Sequence, residues 1–131
     1  MNSASSSTAA KPPLILCIDD ADIALQVRKL VLGSEGYNVL TAISGEEGLE
    51  FFKHQPVELV IADHFLSGKS GTEIAREMKE LKREVPILIV SAALKPDSLE
   101  FADGFVAKRE PPHVLLDAVA HLLAHSASFY S

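Results

Sequence analysis

The chain has 131 residues, 47% of them hydrophobic, and a formal net charge of −6 at pH 7. This length and apolar content suit one domain with a sizeable core. The acidic balance argues against a nucleic-acid surface, which requires a clustered basic face. No apolar run approaches the length of a membrane span, and residues 1–10 lack the basic start and apolar core of a signal peptide. We therefore predict a cytoplasmic protein that binds neither nucleic acid nor membrane.

The first residues differ in composition from the rest of the chain. Residues 2–13 are rich in serine and alanine and end in two prolines. Because few apolar side chains are present there, we predict a disordered leader over residues 1–13. One domain then spans residues 14–125, and residues 126–131 form a C-terminal tail. The single cysteine, Cys17, lies in an apolar run, which excludes an internal disulfide and predicts a core position.

Five short apolar runs are predicted to form strands. Their composition is typical of strands buried in a parallel sheet. The runs are Leu14–Ile18, Tyr37–Ala42, Val57–Ala62, Ile87–Val90 and Phe105–Ala107. Helical patterns separate them, and strands that alternate with helices over short connections require right-handed crossovers and helices on both faces of the sheet.

The helical segments carry start and stop signals. Asp22–Glu35 places four apolar residues on one face, the pattern of an amphipathic helix that packs on a core. These residues are Ile23, Val27, Leu30 and Val31. Capping boxes at Ser44–Glu47 and Ser70–Glu73 predict the starts of two further helices, the second of which carries Ile74, Ala75, Met78 and Leu81. Pro111-Pro112 opens a last helix, whose inward residues are predicted to be Leu115, Ala118, Val119 and Leu122.

Polar residues follow the ends of four of these strands: the pair Asp19-Asp20, then Asp63, Ser91 and Lys108. The carboxyl ends of parallel strands share one edge, where open α/β sheets bind ligands. A carboxylate there can accept a phosphoryl group if a divalent cation offsets the charge on both partners. Asp20 and Asp63 offer the oxygen ligands that Mg²⁺ prefers. Lys108 and the Ser91 hydroxyl can then contact phosphoryl oxygens.

With these motifs in this order, residues 14–125 resemble the receiver domain of two-component response regulators. The resemblance implies an α/β, flavodoxin-like (βα)5 fold, doubly wound around a parallel sheet of strand order 2-1-3-4-5. It also implies that Asp63 is the phosphoacceptor and that Ser91 and Lys108 sense the phosphoryl group. Asp19, Asp20, Asp63 and the backbone carbonyl of Phe65 match the Mg²⁺ ligands of the family. Phe105 matches the position of an aromatic switch.

The same resemblance implies the partners of the protein. A sensor histidine kinase or a phosphotransfer protein donates the phosphoryl group, and an unknown downstream protein receives the signal. Phosphorylation adds about −1.5 to −2 charges, which shifts the conformation around the site. The chain is expected to catalyse only its own phosphorylation and dephosphorylation, as a stand-alone receiver.

Several positions depart from the family pattern. Only 16 residues separate Ser91 from Lys108, so a shortened fourth helix, from Lys95 to about Phe101, is expected. Arg109 follows Lys108 where the family usually has a proline in a cis peptide bond. A cis bond to arginine costs about 3 kcal/mol, so we predict a trans bond and a rearranged loop, with Arg109 pointing either into solvent, which we favour, or towards the site.

Two further departures flank the phosphoacceptor position. Ser67 replaces a proline, which is expected to leave the loop after Asp63 less rigid. His64 stands at a usually apolar position, where it either faces away from Asp63, our preferred interpretation, or tunes the site as a pH-sensitive neighbour.

Two other functions compete with the phosphoacceptor. A pseudo-receiver would keep the fold and bind partners without phosphorylation, and the short fourth helix motivates this alternative. A small-molecule phosphatase would require a separate general acid and a cap, for which the chain offers little. Asp117, His121 and His125 share one helical face at a spacing also found in metal ligands, but a solvated face is the preferred interpretation.

Overall fold

A computed structural model describes residues 11–92 and 99–129, with side chains described up to residue 126. Five strands and four helices lie along this part of the chain, and they alternate up to the fourth strand. They are β1 (Leu14–Ile18), α1 (Asp22–Ser34), β2 (Asn38–Ala42), α2 (Gly45–His54), β3 (Leu59–Asp63), α3 (Gly71–Leu81), β4 (Ile87–Ser91), β5 (Gly104–Ala107) and α4 (Pro112–Phe129). All strand pairs are parallel, in the order β2-β1-β3-β4-β5. The predicted flavodoxin-like topology is confirmed.

Alternate residues of the strands enter two apolar layers, one on each face of the sheet. In β1, Leu16 and Ile18 join the layer beneath α2 and α3, while Ile15 and Cys17 join the layer beneath α1 and α4. This alternation is the two-residue period of a strand that is covered on both faces. The predicted core position of Cys17 is confirmed, and burial raises the pKa of its thiol to about 12.

Helix α3 packs as its sequence pattern predicts. Ile74, Ala75 and Met78 are buried, and Leu81 at the last turn is about half exposed. Its capping box is complete, because the Ser70 hydroxyl accepts from Glu73 N and the Glu73 carboxylate accepts from Ser70 N. The predicted inward residues of α4 also pack on the sheet, with Val119 fully buried among them.

Helix α1 contradicts the prediction made from its periodicity. Its three most exposed apolar side chains are Ile23 at 77%, Val27 at 54% and Leu30 at 75% exposure. The buried face instead consists of Leu25, Arg28 and Leu32. These three residues also recur at helical spacing, so the helix has two candidate faces. Leu25 and Leu32 fit the layer over β1 and β3, and Arg28 is accommodated between them by a carboxylate partner described below.

The structure describes only residues 92 and 99–103 of the segment between β4 and β5. The predicted short fourth helix begins at residues that fall in 93–98, outside the described range, whereas Leu99–Ala102 forms a turn closed by Ala102 N donating to Leu99 O at 3.0 Å. Most of the predicted leader, residues 1–10, also lies outside that range. At the other end, α4 continues to Phe129, into the predicted tail. No helix in the described part of the chain is long and apolar enough to cross a membrane.

Candidate functional site

The carboxyl ends of β1 and β3 place two of the predicted carboxylates side by side. Asp19 follows β1 directly and is held by its backbone N–H, which donates to Ala42 O at 3.1 Å. Asp63 is the last residue of β3, in register with Val90 of the neighbouring strand. Both carboxylates are almost completely withdrawn from solvent, whereas Asp20, one residue after Asp19, is exposed.

Three carboxylates form a cluster that suits a hard divalent cation. Asp19, Asp20 and Asp63 each offer an oxygen atom, and these atoms lie within 4.8 Å of one another. Mg²⁺ binds oxygen ligands and is commonly held by one or two carboxylates plus water. The donor set therefore fits Mg²⁺. Within the described residues this is the one such cluster, so the helical face with His121 and His125 supplies no comparable set.

Lys108 joins this cluster from the end of β5. Its Nζ lies 2.8 Å from Asp19 Oδ2 and 3.2 Å from Asp63 Oδ2. The Lys108 N–H donates to Ser91 O at 2.8 Å, which ties the lysine to the end of β4, where Ser91 is fully buried. The structure thus brings together the carboxylates and the ammonium group that the sequence placed at the ends of three strands, and it places Ser91 at the end of a fourth.

The turn after Lys108 differs from the family pattern in the way the sequence predicts. The bond between Lys108 and Arg109 is trans. Glu110 N donates to Ala107 O at 3.1 Å, which closes a turn that leads to α4, and Arg109 is exposed. The preferred solvent-facing position of Arg109 agrees with this exposure.

Opposing effects set the charge state of Asp19. Its burial tends to raise the pKa, because a charged carboxylate is poorly solvated there. The hydrogen bond from Lys108, the N–H of Ala21 at 2.9 Å, and the positive charges of Lys108 and Arg28 outweigh this and hold the pKa of Asp19 below its usual value. Asp19 is therefore ionised at neutral pH.

Two residues that the sequence analysis did not assign to the cluster are in contact with it. Arg28 of α1 is buried, and its Nη2 lies 3.4 Å from Asp19 Oδ2. Ser67 donates from its hydroxyl to Asp20 Oδ2 at 3.1 Å. A signal for Arg28 was available, because it lies at helical spacing between Leu25 and Leu32. Ser67 was singled out only as a replacement for proline, and nothing in the sequence pointed to its contact with Asp20.

The loop after β3 positions Asp63 through tight backbone contacts. Phe65 N donates to Asp63 Oδ1 at 3.3 Å, and the Phe65 side chain is exposed. A Cβ atom on Gly71 would lie 2.7 Å from the carbonyl oxygen of Asp63 and 2.9 Å from His64 Cα, so only glycine fits at the start of α3. Gly68 has φ +86°, a conformation that favours glycine.

His64 directly follows Asp63, and Phe105 lies in β5, the strand that leads to Lys108. His64 is partly buried, its Nδ1 has no hydrogen-bond partner within the described part of the chain, and its ring meets that of Phe65 edge-on at 4.7 Å between centroids. Phe105, in β5, is half-buried against the layer beneath α2 and α3.

A comparison with known families identifies this arrangement. Residues 15–120 match the family described as response regulator receiver domain. The chain belongs to this family. The receiver is also similar to the transcriptional regulatory protein GlrR of Escherichia coli K12, with 32% identity over 122 residues, which cover 89% of this chain and 28% of GlrR. The chain therefore spans about a quarter of the length of that relative.

Solved receivers share the fold. A CheY-like receiver domain protein from Methanospirillum hungatei superposes with a TM-score of 0.82 and 26% identity, covering 89% of this chain and 98% of that one. The response regulator TrrA of Thermotoga maritima, solved in complex with Mg²⁺ and BeF, gives a TM-score of 0.80 and 33% identity, covering 84% of this chain and 98% of TrrA. The chain is thus the receiver domain of a two-component response regulator.

Proposed function

We propose that this receiver accepts a phosphoryl group on Asp63, with Mg²⁺ held by Asp19, Asp20, Asp63 and the Phe65 carbonyl. The observation that carries the proposal is the position of Lys108, whose Nζ lies within 3.2 Å of both buried carboxylates. An ammonium group there matches the negative charge of an incoming phosphoryl group. The TrrA complex with Mg²⁺ and BeF supports the same chemistry in a relative.

The transfer forms one bond and breaks one. An oxygen of the Asp63 carboxylate bonds to phosphorus while the P–N bond of a phosphohistidine breaks, and the bonding electron pair leaves on the imidazole nitrogen. Mg²⁺, when bound, offsets the negative charge shared by carboxylate and phosphoryl oxygens. Lys108 contributes a second positive charge from the end of β5, and the buried Ser91 hydroxyl is proposed to donate to a phosphoryl oxygen.

Phosphorylation then changes the contacts of Lys108. In the present structure this ammonium group forms ion pairs with both Asp19 and Asp63. A phosphoryl group of about −1.5 to −2 charges on Asp63 attracts Lys108 and Ser91 more strongly than a carboxylate does. Ser91 is the last residue of β4, Lys108 directly follows β5, and the half-buried Phe105 lies on β5. We propose that this region carries the signal to a downstream protein.

The donor is proposed to be a sensor histidine kinase or a phosphotransfer protein that docks on the apolar rim of the site. This rim consists of Ile23, Val27, Ile43 and Phe65, all more than half exposed. Ile23 follows the acidic pair by three residues, Ile43 directly follows β2, and Phe65 is two residues from Asp63. We propose that a protein bringing phosphohistidine to Asp63 covers these residues, because Ile23, Ile43 and Phe65 follow strands at the edge of the sheet that carries the acidic cluster.

A cavity extends the rim towards α4. It has a volume of about 320 Å³ and lies between α1 and α4, with Val27, Val31 and Leu115 among its lining residues. An apolar side chain of the donor inserted there would bury surface that the isolated receiver exposes.

The direct test uses acetyl phosphate, a small donor that needs no docking surface. With Mg²⁺, intact-mass spectrometry should show the gain of one phosphoryl group on the wild-type protein and on Asp22→Asn, a control that removes an exposed carboxylate. Asp63→Asn should show none. Labelling of Asp63→Asn would contradict the proposal.

The docking rim is tested by Val27→Ser. Acetyl phosphate should label this variant as fast as the wild type, whereas a panel of autophosphorylated histidine kinase domains should label it about fivefold more slowly.

One observation favours the pseudo-receiver as the second candidate. Asp19 already has two cationic partners, Lys108 and Arg28, so the site is largely neutralised without metal. A protein that never binds Mg²⁺ would be stable in this state and would act through its exposed apolar rim alone. Absence of any mass gain in the wild type at saturating Mg²⁺ and acetyl phosphate would favour this alternative.

A further inference from the structure

Arg28 is a second cation inside the acidic site, supplied by α1. Only 8% of the residue is exposed, and its Nη2 lies 3.4 Å from Asp19 Oδ2. Its Nη1 is also buried and has no hydrogen-bond partner among the described residues. A guanidinium group is desolvated at considerable cost, and the two N–H groups on Nη1 find no acceptor among the described residues.

Stability alone does not account for an arginine at this position. Leu25 and Leu32, its neighbours on the same face of α1, are buried apolar residues, and an apolar residue at position 28 would continue their stripe. Replacing both members of a buried ion pair by apolar side chains is often neutral or stabilising, and Asp19 would keep Lys108 as a cationic partner, at 2.8 Å, without Arg28. The charge of Arg28 is therefore best understood through its effect on Asp19.

We propose that Arg28 is a positioning residue that competes with Mg²⁺ for Asp19 and thereby lowers the affinity of the receiver for the metal. The inference rests on the proposed Mg²⁺ site but concerns a residue outside its ligand set. Three carboxylates and two cations leave the cluster with one net negative charge, whereas a site with Lys108 as its sole cation would have two. A divalent cation is attracted less strongly to the smaller charge.

Burial makes this competition persistent. An exposed arginine would swing into solvent when the metal binds, but Arg28 is enclosed beneath α1 and its charge remains near the site. Asp19 also accepts from Ala21 N at 2.9 Å through Oδ1 and from Lys108 through Oδ2, so both of its oxygens are engaged. Metal binding must therefore loosen existing contacts of Asp19 while a guanidinium charge stays within a few ångströms.

The test measures metal affinity without any phosphoryl donor. Mn²⁺ is titrated into metal-stripped protein at pH 7, and free Mn²⁺ is counted by electron paramagnetic resonance. Arg28→Met, which keeps length and volume but loses the charge, should bind Mn²⁺ about tenfold more tightly than the wild type. Arg28→Lys, which keeps the charge, should remain within about threefold of the wild type, and competition with Mg²⁺ should give the same order.

Lys29→Met is the matched control, because it removes the same charge from an exposed neighbour on α1. It should change the affinity by less than about twofold, since exposed charges are screened. Equal or weaker binding by Arg28→Met, equal tightening by Lys29→Met, or no Mn²⁺ binding by either wild type or Arg28→Met overturns the proposal.

A measurement on the wild type covers the case in which Arg28→Met fails to fold. The Nε–H signal of Arg28 in a ¹⁵N NMR spectrum should shift as Mg²⁺ is added, while that of the exposed Arg76 on α3 stays constant. An Arg28 signal that does not respond to saturating Mg²⁺ contradicts the inference. Failure of Asp63 labelling together with tighter metal binding by Arg28→Met would remove the proposed phosphorylation but leave the role of Arg28 intact.

Discussion

Helices α1 and α3 cover opposite faces of the same sheet, yet only α3 packs as its sequence predicts. In α3 one apolar stripe is available, and Ile74 and Met78 from that stripe are buried. In α1 two stripes compete, and the stripe with more apolar residues is the one left exposed. Periodicity decides packing when one face dominates, and the neighbouring elements decide when two faces are possible.

The difference follows from what each helix borders. The buried side chains of α3 belong to an apolar cluster with residues of the sheet and of α2, so their burial is a matter of packing. The buried face of α1 meets the ionised Asp19, to which Arg28 adds a second cationic partner beside Lys108. The exposed stripe of α1, in turn, begins at Ile23, three residues after the acidic pair, where we propose that a phosphoryl donor docks. Helix α3 therefore supports the fold, while the buried face of α1 contributes Arg28 to the site.

Truncating one isoleucine in each helix should give the largest contrast. Ile74→Ala removes a fully buried side chain from α3 and should lower the free energy of unfolding by about 2–5 kcal/mol. Ile23→Ala removes a 77% exposed side chain from α1 and should change it by less than about 0.5 kcal/mol. Urea unfolding followed by circular dichroism measures both. If Ile23→Ala lowered the free energy of unfolding by more than about 1 kcal/mol, α1 would pack through the apolar face that its periodicity predicts.

Replacing a glycine by alanine should change the free energy of unfolding in opposite directions in the two helices. Gly71→Ala at the start of α3 forces a Cβ atom to within 3 Å of two backbone atoms and should destabilise by about 1–3 kcal/mol. Gly33→Ala in α1 meets no atom within 4 Å and should stabilise by about 0.5–1 kcal/mol, because alanine is the better helix former. Thermal unfolding provides the measurement. Destabilisation by Gly33→Ala would contradict the open surroundings of that position.

The smallest expected effect is on the pH dependence of stability. The folded-state pKa of Asp19 lies below the usual value of 3.8, so its ionic contacts stabilise the fold above about pH 4 and are lost as the pH falls through the folded pKa. In metal-free buffer, Asp19→Asn should therefore lose less unfolding free energy between pH 6 and pH 3 than the wild type. Asp22→Asn should retain the wild-type dependence. Equal slopes for all three proteins would show that Asp19 is not stabilised by its partners.

Most of the candidate site could be predicted from the sequence, because the end of a strand is marked by residues that are neighbours in the chain. Each of Asp19, Asp63, Ser91 and Lys108 follows an apolar run, and parallel strands bring their carboxyl ends to one edge. Helix starts were equally accessible, since the capping box at Ser70 involves residues only three apart. The contacts of Arg28 and Ser67 were not, because each joins residues whose proximity depends on how a helix or loop is placed.

The sequence by itself determined the number, order and parallel arrangement of the strands, and with them the edge at which the acidic and basic residues meet. Hydrophobic runs and helix caps involve residues that are close together in the chain, so they can be recognised from the sequence. The tertiary structure alone decided which face of α1 is buried and that its arginine lies against Asp19. That choice depends on the fit of Leu25 and Leu32 to the sheet and on the charge of a carboxylate nine residues away, which no local pattern contains.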